Sequence, residues 1–185
     1  MGSILVDLTT LSLVREQLLR LRKFQMADMP VFLAAIPDAK MLMQFAGPSY
    51  VYPLTAEQVQ LDLQADGDSV FSVVTEGDEV VGHAQIRFFP EHFLLRRIVI
   101  WDAAWRGQSW GKRVVQQLLD TGFAMSSAHV AQLNVFDWNQ AAIHCYQALG
   151  FVVQAGMEKT VCIEGETWHS IRMCCNKPVA DVFLP

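Results

Sequence analysis

The chain has 185 residues, with 14 Lys+Arg against 19 Asp+Glu for a formal net charge of −5, 52% hydrophobic residues and 18% charged ones. One domain of this length buries roughly 70% of its unfolded surface and needs no metal or disulfide staple, and the apolar balance excludes disorder. The acidic excess argues against nucleic acid as a partner, because backbone binding depends on clustered Lys and Arg.

Residues 1–17 carry no clear pattern and are set aside as an N-terminal extension, leaving a domain over 18–177 and a tail over 178–185. Leu18 to Phe24 alternates apolar and basic residues and predicts a half-exposed strand. Asp28 is placed to cap a helix running to about Lys40, with Pro30 tolerated in its first turn. Phe45 to Pro53 reads as an aromatic loop punctuated by Gly47, Pro48 and Pro53. Thr55-Ala56-Glu57-Gln58 is a capping box opening a second helix towards Gln64. Val70–Val74 and Val80–Ile86 flank a Gly77-Asp78 turn as a hairpin. A second turn at Pro90-Glu91 leads into a strand from Phe93 to Trp101.

From Gly111 to Met125 the pattern is helical. Polar Arg113, Gln116, Gln117 and Asp120 share one face, and Val114, Val115, Leu118, Leu119 and Phe123 the other. Val130–Phe136 predicts a strand, Asn139–Leu149 a short helix, and Phe151–Ile163 with Thr167–Cys175 a closing hairpin. This order gives a mixed α/β sheet with helices packed on its faces.

Cys145, Cys162, Cys174 and Cys175 form no CxxC pair, and a reduced, cytoplasmic setting is the simpler reading. No apolar run reaches the roughly 18 residues of a membrane span. The start, Met1 to Val6, lacks the basic flank of a secretory signal and has Val6 where a myristoylation signal has Ser or Thr. A membrane is therefore not an expected partner. Cys174, Cys175 and His169 lack metal-site spacing, so no metal is expected. Cys145 beside His144 is not a nucleophile–base pair, because helix neighbours do not face each other. Arg96 and Arg97 alternate on a strand and are expected on opposite faces, at least one of them merely solvated.

Trp105-Arg106-Gly107-Gln108-Ser109-Trp110-Gly111-Lys112 lies between a strand and a helix. Such a turn presents several backbone N–H groups in one direction at the positive end of the helix dipole, which suits a pyrophosphate. It is not a Walker loop, since Arg113 follows Lys112. Asn134 to Asn139 ends a strand and caps the next helix, which runs through Ala142 and Tyr146 to Gly150-Phe151. Taken singly, Asn139 is an ordinary N-cap and Tyr146 an ordinary core residue.

Together the two segments resemble the GNAT superfamily of N-acetyltransferases. Arg106 to Gly111 is similar to that family's R-x-x-G-x-G/A acyl-CoA loop, and Asn139, Ala142, Tyr146, Gly150 and Phe151 to its N-x-x-A-x-x-x-Y-x-x-x-G-F segment. Ser109 stands where the loop usually has its first glycine, and Ala103 where a proline is common. If the Ser109 position needs a positive φ, serine strains it.

The resemblance implies an acyl-CoA N-acyltransferase fold, with a central, mostly antiparallel sheet flanked by helices, and a reaction carrying an acetyl group from acetyl-CoA to an amine acceptor. It assigns the coenzyme to the backbone of Val99, Ile100 and Trp101 and to Arg106, Gly107, Gln108, Ser109, Trp110, Gly111 and Lys112, with Asn139 and Tyr146 near the thioester. Tyr146 is implied as the general acid. Glu91 is favoured as the base, with Asp102, His83 and His92 as alternatives. Tyr50 and Tyr52 are expected in an acceptor lid, and the resemblance leaves room for a homodimer. The competing reading is an acyl-CoA sensor that keeps the fold without the chemistry.

Overall fold

The computed structural model describes residues 19–65, 67–105 and 109–178. The proposed extension over 1–17, nearly all of the tail over 178–185, and the loop residues Arg106, Gly107 and Gln108 lie outside them.

The strands are β1 (Arg20–Lys23), β2 (Asp68–Val74), β3 (Val80–Phe88), β4 (His92–Ile100), β5 (Val130–Phe136), β6 (Val152–Ile163) and β7 (Glu166–Asn176). They form one seven-stranded sheet in the order β1-β2-β3-β4-β5-β7-β6. Every pairing is antiparallel except β4 with β5. The helices are α1 (Met29–Ala34), α2 (Ala39–Ala46), α3 (Ala56–Leu63), α4 (Trp110–Met125) and α5 (Gln140–Gln147).

The helix expected from Asp28 to Lys40 is two helices. Pro37 has no N–H and clashes with a preceding helical turn, so α1 ends before it. Asp38 then restarts the chain by accepting a hydrogen bond from the Met41 N–H at 2.7 Å. The expected aromatic loop accordingly begins two residues after Phe45, because α2 runs on to Ala46. Asp28 makes no side-chain cap. Its carboxylate is buried and accepts from Arg22, from the Ser72 hydroxyl at 2.6 Å and from the Gln25 N–H at 2.9 Å. Thr55 does cap α3, whereas Gln58 turns back to Val51 and Pro53 and ties down the loop before the helix.

Two apolar layers sandwich the sheet. On one side Val114, Val115, Leu118 and Leu119 of α4 pack with Phe93, Leu95, Leu133 and Phe151, and Ile143 of α5 joins them. On the other, Met29, Phe32, Ile36, Leu42, Tyr50, Leu54 and Val59 form a smaller cluster from α1–α3.

β4 is irregular where the sheet matters most. Gln85 pairs with Arg96 but His83 pairs with Val99, so Arg97 and Ile98 oppose Ala84 alone. This is a β-bulge, with Arg97 in the left-handed region at φ 54°, and bulges bend a strand and sharpen its twist. Parallel pairing of β4 with β5 runs from His92↔Val130 only to Leu95↔Leu133. Beyond it the strands diverge.

Gly82 holds β3 close to this segment. A Cβ there meets the Val99 carbonyl oxygen at 2.5 Å and the Val73 Cβ at 3.0 Å. Because the obstacle is main chain, Gly82→Ala is expected to lower stability by about 1–3 kcal/mol, read as a lower urea midpoint with an unchanged m-value.

Candidate active site

The divergence of β4 and β5 leaves a cleft of about 610 Å³ between Leu95–Ile100 on one wall and Leu133–Phe136 on the other. It passes through the sheet. Asn139 and Tyr146 of the α4/α5 layer line it on one side, and Met41, Gln44 and Phe45 of α2 on the other. A contiguous recess of about 340 Å³ continues past Arg96 and Arg97 beneath Gly47–Ser49, with Arg87, Lys159, Val161 and Ser170 on its far side.

At the far end of β4 the chain turns into α4. Ser109 is the N-cap residue with φ 62° and ψ 11°, and its side chain makes no cap hydrogen bond. The left-handed position that would strain a serine is therefore the one it occupies. The first bond within the helix joins the Arg113 N–H to the Ser109 carbonyl, so the N–H groups of Gly111 and Lys112 precede it and point out along the axis. A Cβ at Gly111 would meet nothing within 4 Å, leaving open space at that positive helix end. Trp110 turns its indole into the core, against Trp105 and under Arg113.

Left-handed serine costs about 1–2 kcal/mol, partly balanced by the greater chain entropy of glycine. Ser109→Gly is expected to raise unfolding stability by roughly 0.5–1 kcal/mol in denaturant titration.

Asn139 caps α5, its side chain accepting from the Ala142 N–H at 3.3 Å. That helix presents Tyr146 to the cleft, its ring tilted against Phe151 with centroids 5.9 Å apart. Burial raises the Tyr146 phenol above its ordinary pKa, with a smaller push from Cys145. It stays protonated throughout the neutral range.

A second group of polar side chains sits beneath the bulge. Asp62 of α3 receives Arg97 and, at 3.1 Å, Gln85 Nε2, while Arg96 lies 3.6 Å away. Arg97 is buried and its guanidinium lies over the Tyr50 ring, 3.9 Å from the centroid. Burial pushes the Tyr50 phenol up to about 12. His83 is fully buried and stacked on Phe32 at 4.3 Å; burial, then the Arg97 charge, push its pKa down to about 3.

The structure thus brings Val99, Ile100, Asn139 and Tyr146 to one cleft. Trp101 does not line it; its N–H is bonded to the Val81 carbonyl. Glu91 is exposed in the β3–β4 turn, at the end of β4 away from the divergence. At about 3.3 Å per residue it stands roughly 20 Å along the strand from Arg97, so the structure does not bring it to the divergence. His92 stacks on Phe89 at the same distant end, and Asp102 accepts from the Ala104 N–H at 2.9 Å. Tyr50 belongs to the smaller core and Tyr52, donating to the Pro37 carbonyl at 2.7 Å, fastens the loop. Neither lines the cleft; the residues over it are those of α2 and Gly47–Ser49. Arg96 and Arg97 converge on Asp62 instead of parting, because the extra residue of the bulge breaks the alternation that separates neighbours in a regular strand.

The sequence profile of the acetyltransferase (GNAT) family matches residues 39–151. Spermidine N(1)-acetyltransferase of Escherichia coli K12 is 30% identical over 76 residues, a stretch spanning 41% of this chain and 41% of that protein. Among solved structures, spermidine N-acetyltransferase from Vibrio cholerae in complex with CoA and spermine superposes with a TM-score of 0.71 at 18% identity, over 85% of this chain and 95% of that one. Spermidine/spermine N-acetyltransferase from the same organism, in complex with manganese ions, gives a TM-score of 0.67 at 18% identity, over 87% and 93%.

Proposed function

Because the chain belongs to the acetyltransferase (GNAT) family, we propose that it is an N-acetyltransferase moving an acetyl group from acetyl-CoA to the primary amine of an acceptor by direct attack. The observation that carries this reading is the cleft where β4 and β5 part, with Tyr146 on its wall and the N-terminus of α4 beyond the end of β4.

The residues present fit the coenzyme. The outward N–H groups of Gly111 and Lys112, with unfilled space at Gly111, suit a diphosphate. Among the described residues no strand is paired to the cleft-facing edge of β4 beyond Leu95, so Val99 and Ile100 can accept an extended arm as an added strand. Acetyl-CoA supplies a thioester, whose acyl carbon is open to an amine lone pair. Tyr146, held protonated by burial, then gives its proton to the departing sulfur, and such acid assistance is worth roughly 10²–10⁴-fold. The amine also has to lose a proton. Glu91 does not line the cleft, and Asp38, the one carboxylate among the described residues that does, is engaged as the α2 cap. The neighbouring guanidinium charges of Arg96 and Arg97 lower the pKa of an amine brought beside them, so its proton can pass to water.

The test pairs calorimetric titration with coenzyme A and thiol release from acetyl-CoA over a panel of amines. Coenzyme binding with acetylation of at least one amine is expected. Binding without turnover of any amine would favour a sensor module, and no binding at all would overturn both readings.

A further inference from the structure

The recess beyond the cleft, where the acceptor must lie if the proposed transfer takes place, is cationic. Arg87, Arg96, Arg97 and Lys159 line it, and no carboxylate is among the described residues that do. Two carboxylates stand behind these cations. Asp68, whose side chain is fully buried, takes Arg87 through both oxygens at 2.6 and 2.7 Å. Asp62 takes Arg97 and Gln85. Both acids hydrogen-bond these other partners, Arg96 reaches them only through longer ion pairs, and Lys159 forms no ion pair among the described residues.

Arg96 is the informative one. Its side chain is only 14% exposed, yet its closest carboxylate oxygens, on Asp62 and Asp68, are both 3.6 Å away. It donates no hydrogen bond among the described residues, although a guanidinium carries five N–H donors in a fixed fork matched to an oxyanion. Burial, and then the charge of Arg97, hold its pKa below the ordinary arginine value. An enclosed fork with open donors, facing into a recess with excess positive charge, is arranged to receive a negative group.

We infer, on the premise of the acetyltransferase reading, that the acceptor is a free amino acid whose carboxylate is gripped by the Arg96 fork, with Lys159 as a second cation. The recess, about 340 Å³, sits at the small end of ligand pockets, which run about 300–1,000 Å³, and suits a small molecule better than a polypeptide segment. The coenzyme's own phosphates do not account for these cations, because α4 starts beyond the other end of the cleft. A polyamine is the wrong partner here: like charges about 4 Å apart repel by roughly 4 kcal/mol at a near-surface dielectric.

The experiment measures thiol release from acetyl-CoA with the twenty standard amino acids, the carboxamide of the best of them, and spermidine. Calorimetry with coenzyme A is run on the same protein, and thermal shift by each acceptor is read with coenzyme A present. Turnover and stabilisation by an amino acid, with a KM roughly 10- to 100-fold higher for its carboxamide, is expected from losing a charge-assisted bond. Arg96→Met should bring the two KM values together. Lys159→Gln, on an exposed strand where it does not threaten folding, should narrow the gap in part. Coenzyme binding accompanied by acetylation of spermidine but of no amino acid overturns this inference and leaves the acetyltransferase reading standing. So does an amino acid that is acetylated no better than its carboxamide. A protein that does not bind coenzyme A fails the premise itself, and the inference with it.

Discussion

Tyr146→Phe is expected to lower kcat for acetyl transfer by roughly 10²–10⁴-fold while leaving coenzyme A binding nearly unchanged. The substitution removes one oxygen from a ring that packs against Phe151 and borders the apolar layer under α4 and α5, so the fold has little to lose. On the proposed mechanism, what disappears is the proton for a sulfur leaving group. The unmodified phenol, raised above its ordinary pKa by burial, does not ionise near neutrality, so it places no alkaline limb on the wild-type rate profile between pH 7 and 9. Steady-state thiol release and coenzyme calorimetry on the two proteins decide the matter. Equal kcat values would remove Tyr146 from the chemistry and return it to a packing role.

The second large effect is on stability in acid. His83 sits at 1% exposure between Phe24 and Phe32, its Nδ1 without a hydrogen-bond partner among the described residues, and its pKa is lowered to about 3. An unfolded chain binds a proton at this histidine below about pH 6.5, where the folded chain does not. Unfolding therefore takes up a proton, and stability falls as pH drops from about 6.5 towards 3. At 1.36 kcal/mol per pH unit the loss reaches about 3 kcal/mol at pH 4. Asp28 acts in a lower window. Burial alone would raise its pKa, but bonds from Arg22, Ser72 and Gln25 outweigh that and hold it low. Its contribution is present above the unfolded carboxylate value near 3.9 and is lost only as pH falls below that. The two are separable. His83→Phe should flatten urea-unfolding stability between pH 6.5 and 4 and leave the steeper acid limb in place, whereas an unchanged slope in the variant would assign it to other groups.

Much of the architecture was legible in the sequence because its signals are local. The strand periods, the polar and apolar faces of α4, the Thr55 cap and the Asn139–Phe151 segment each depend on residues a few positions apart. Other features depend on what comes close in space. Asp28 resembles a helix cap by position, but β1 and β2 bring Arg22 and Ser72 to its carboxylate. Arg96 and Arg97 look like ordinary alternation in an apolar strand. Their convergence follows from one surplus residue in β4, which appears only once β3 is paired to it. Tyr50 belongs to an aromatic stretch that reads as a lid, yet burial beside Phe32 and Val59 makes it core. Pro37 followed by Asp38, a helix stop and a cap in succession, is the local signal that separates α1 from α2. The pair of arginines in an otherwise apolar run is the available pointer to the cationic recess.

The fissure through the sheet has a further consequence. One of its walls carries a surplus residue, since Arg97 and Ile98 of β4 oppose Ala84 of β3 alone, and such a bulge bends the strand through its main chain. Loss of one codon near Arg97 is expected to straighten β4, whereas a point substitution at a polar lining residue such as Asn134 leaves the count unchanged. On the proposed reading, a change of side chain along that wall alters what meets the acceptor while the main-chain groups offered to the coenzyme stay in place.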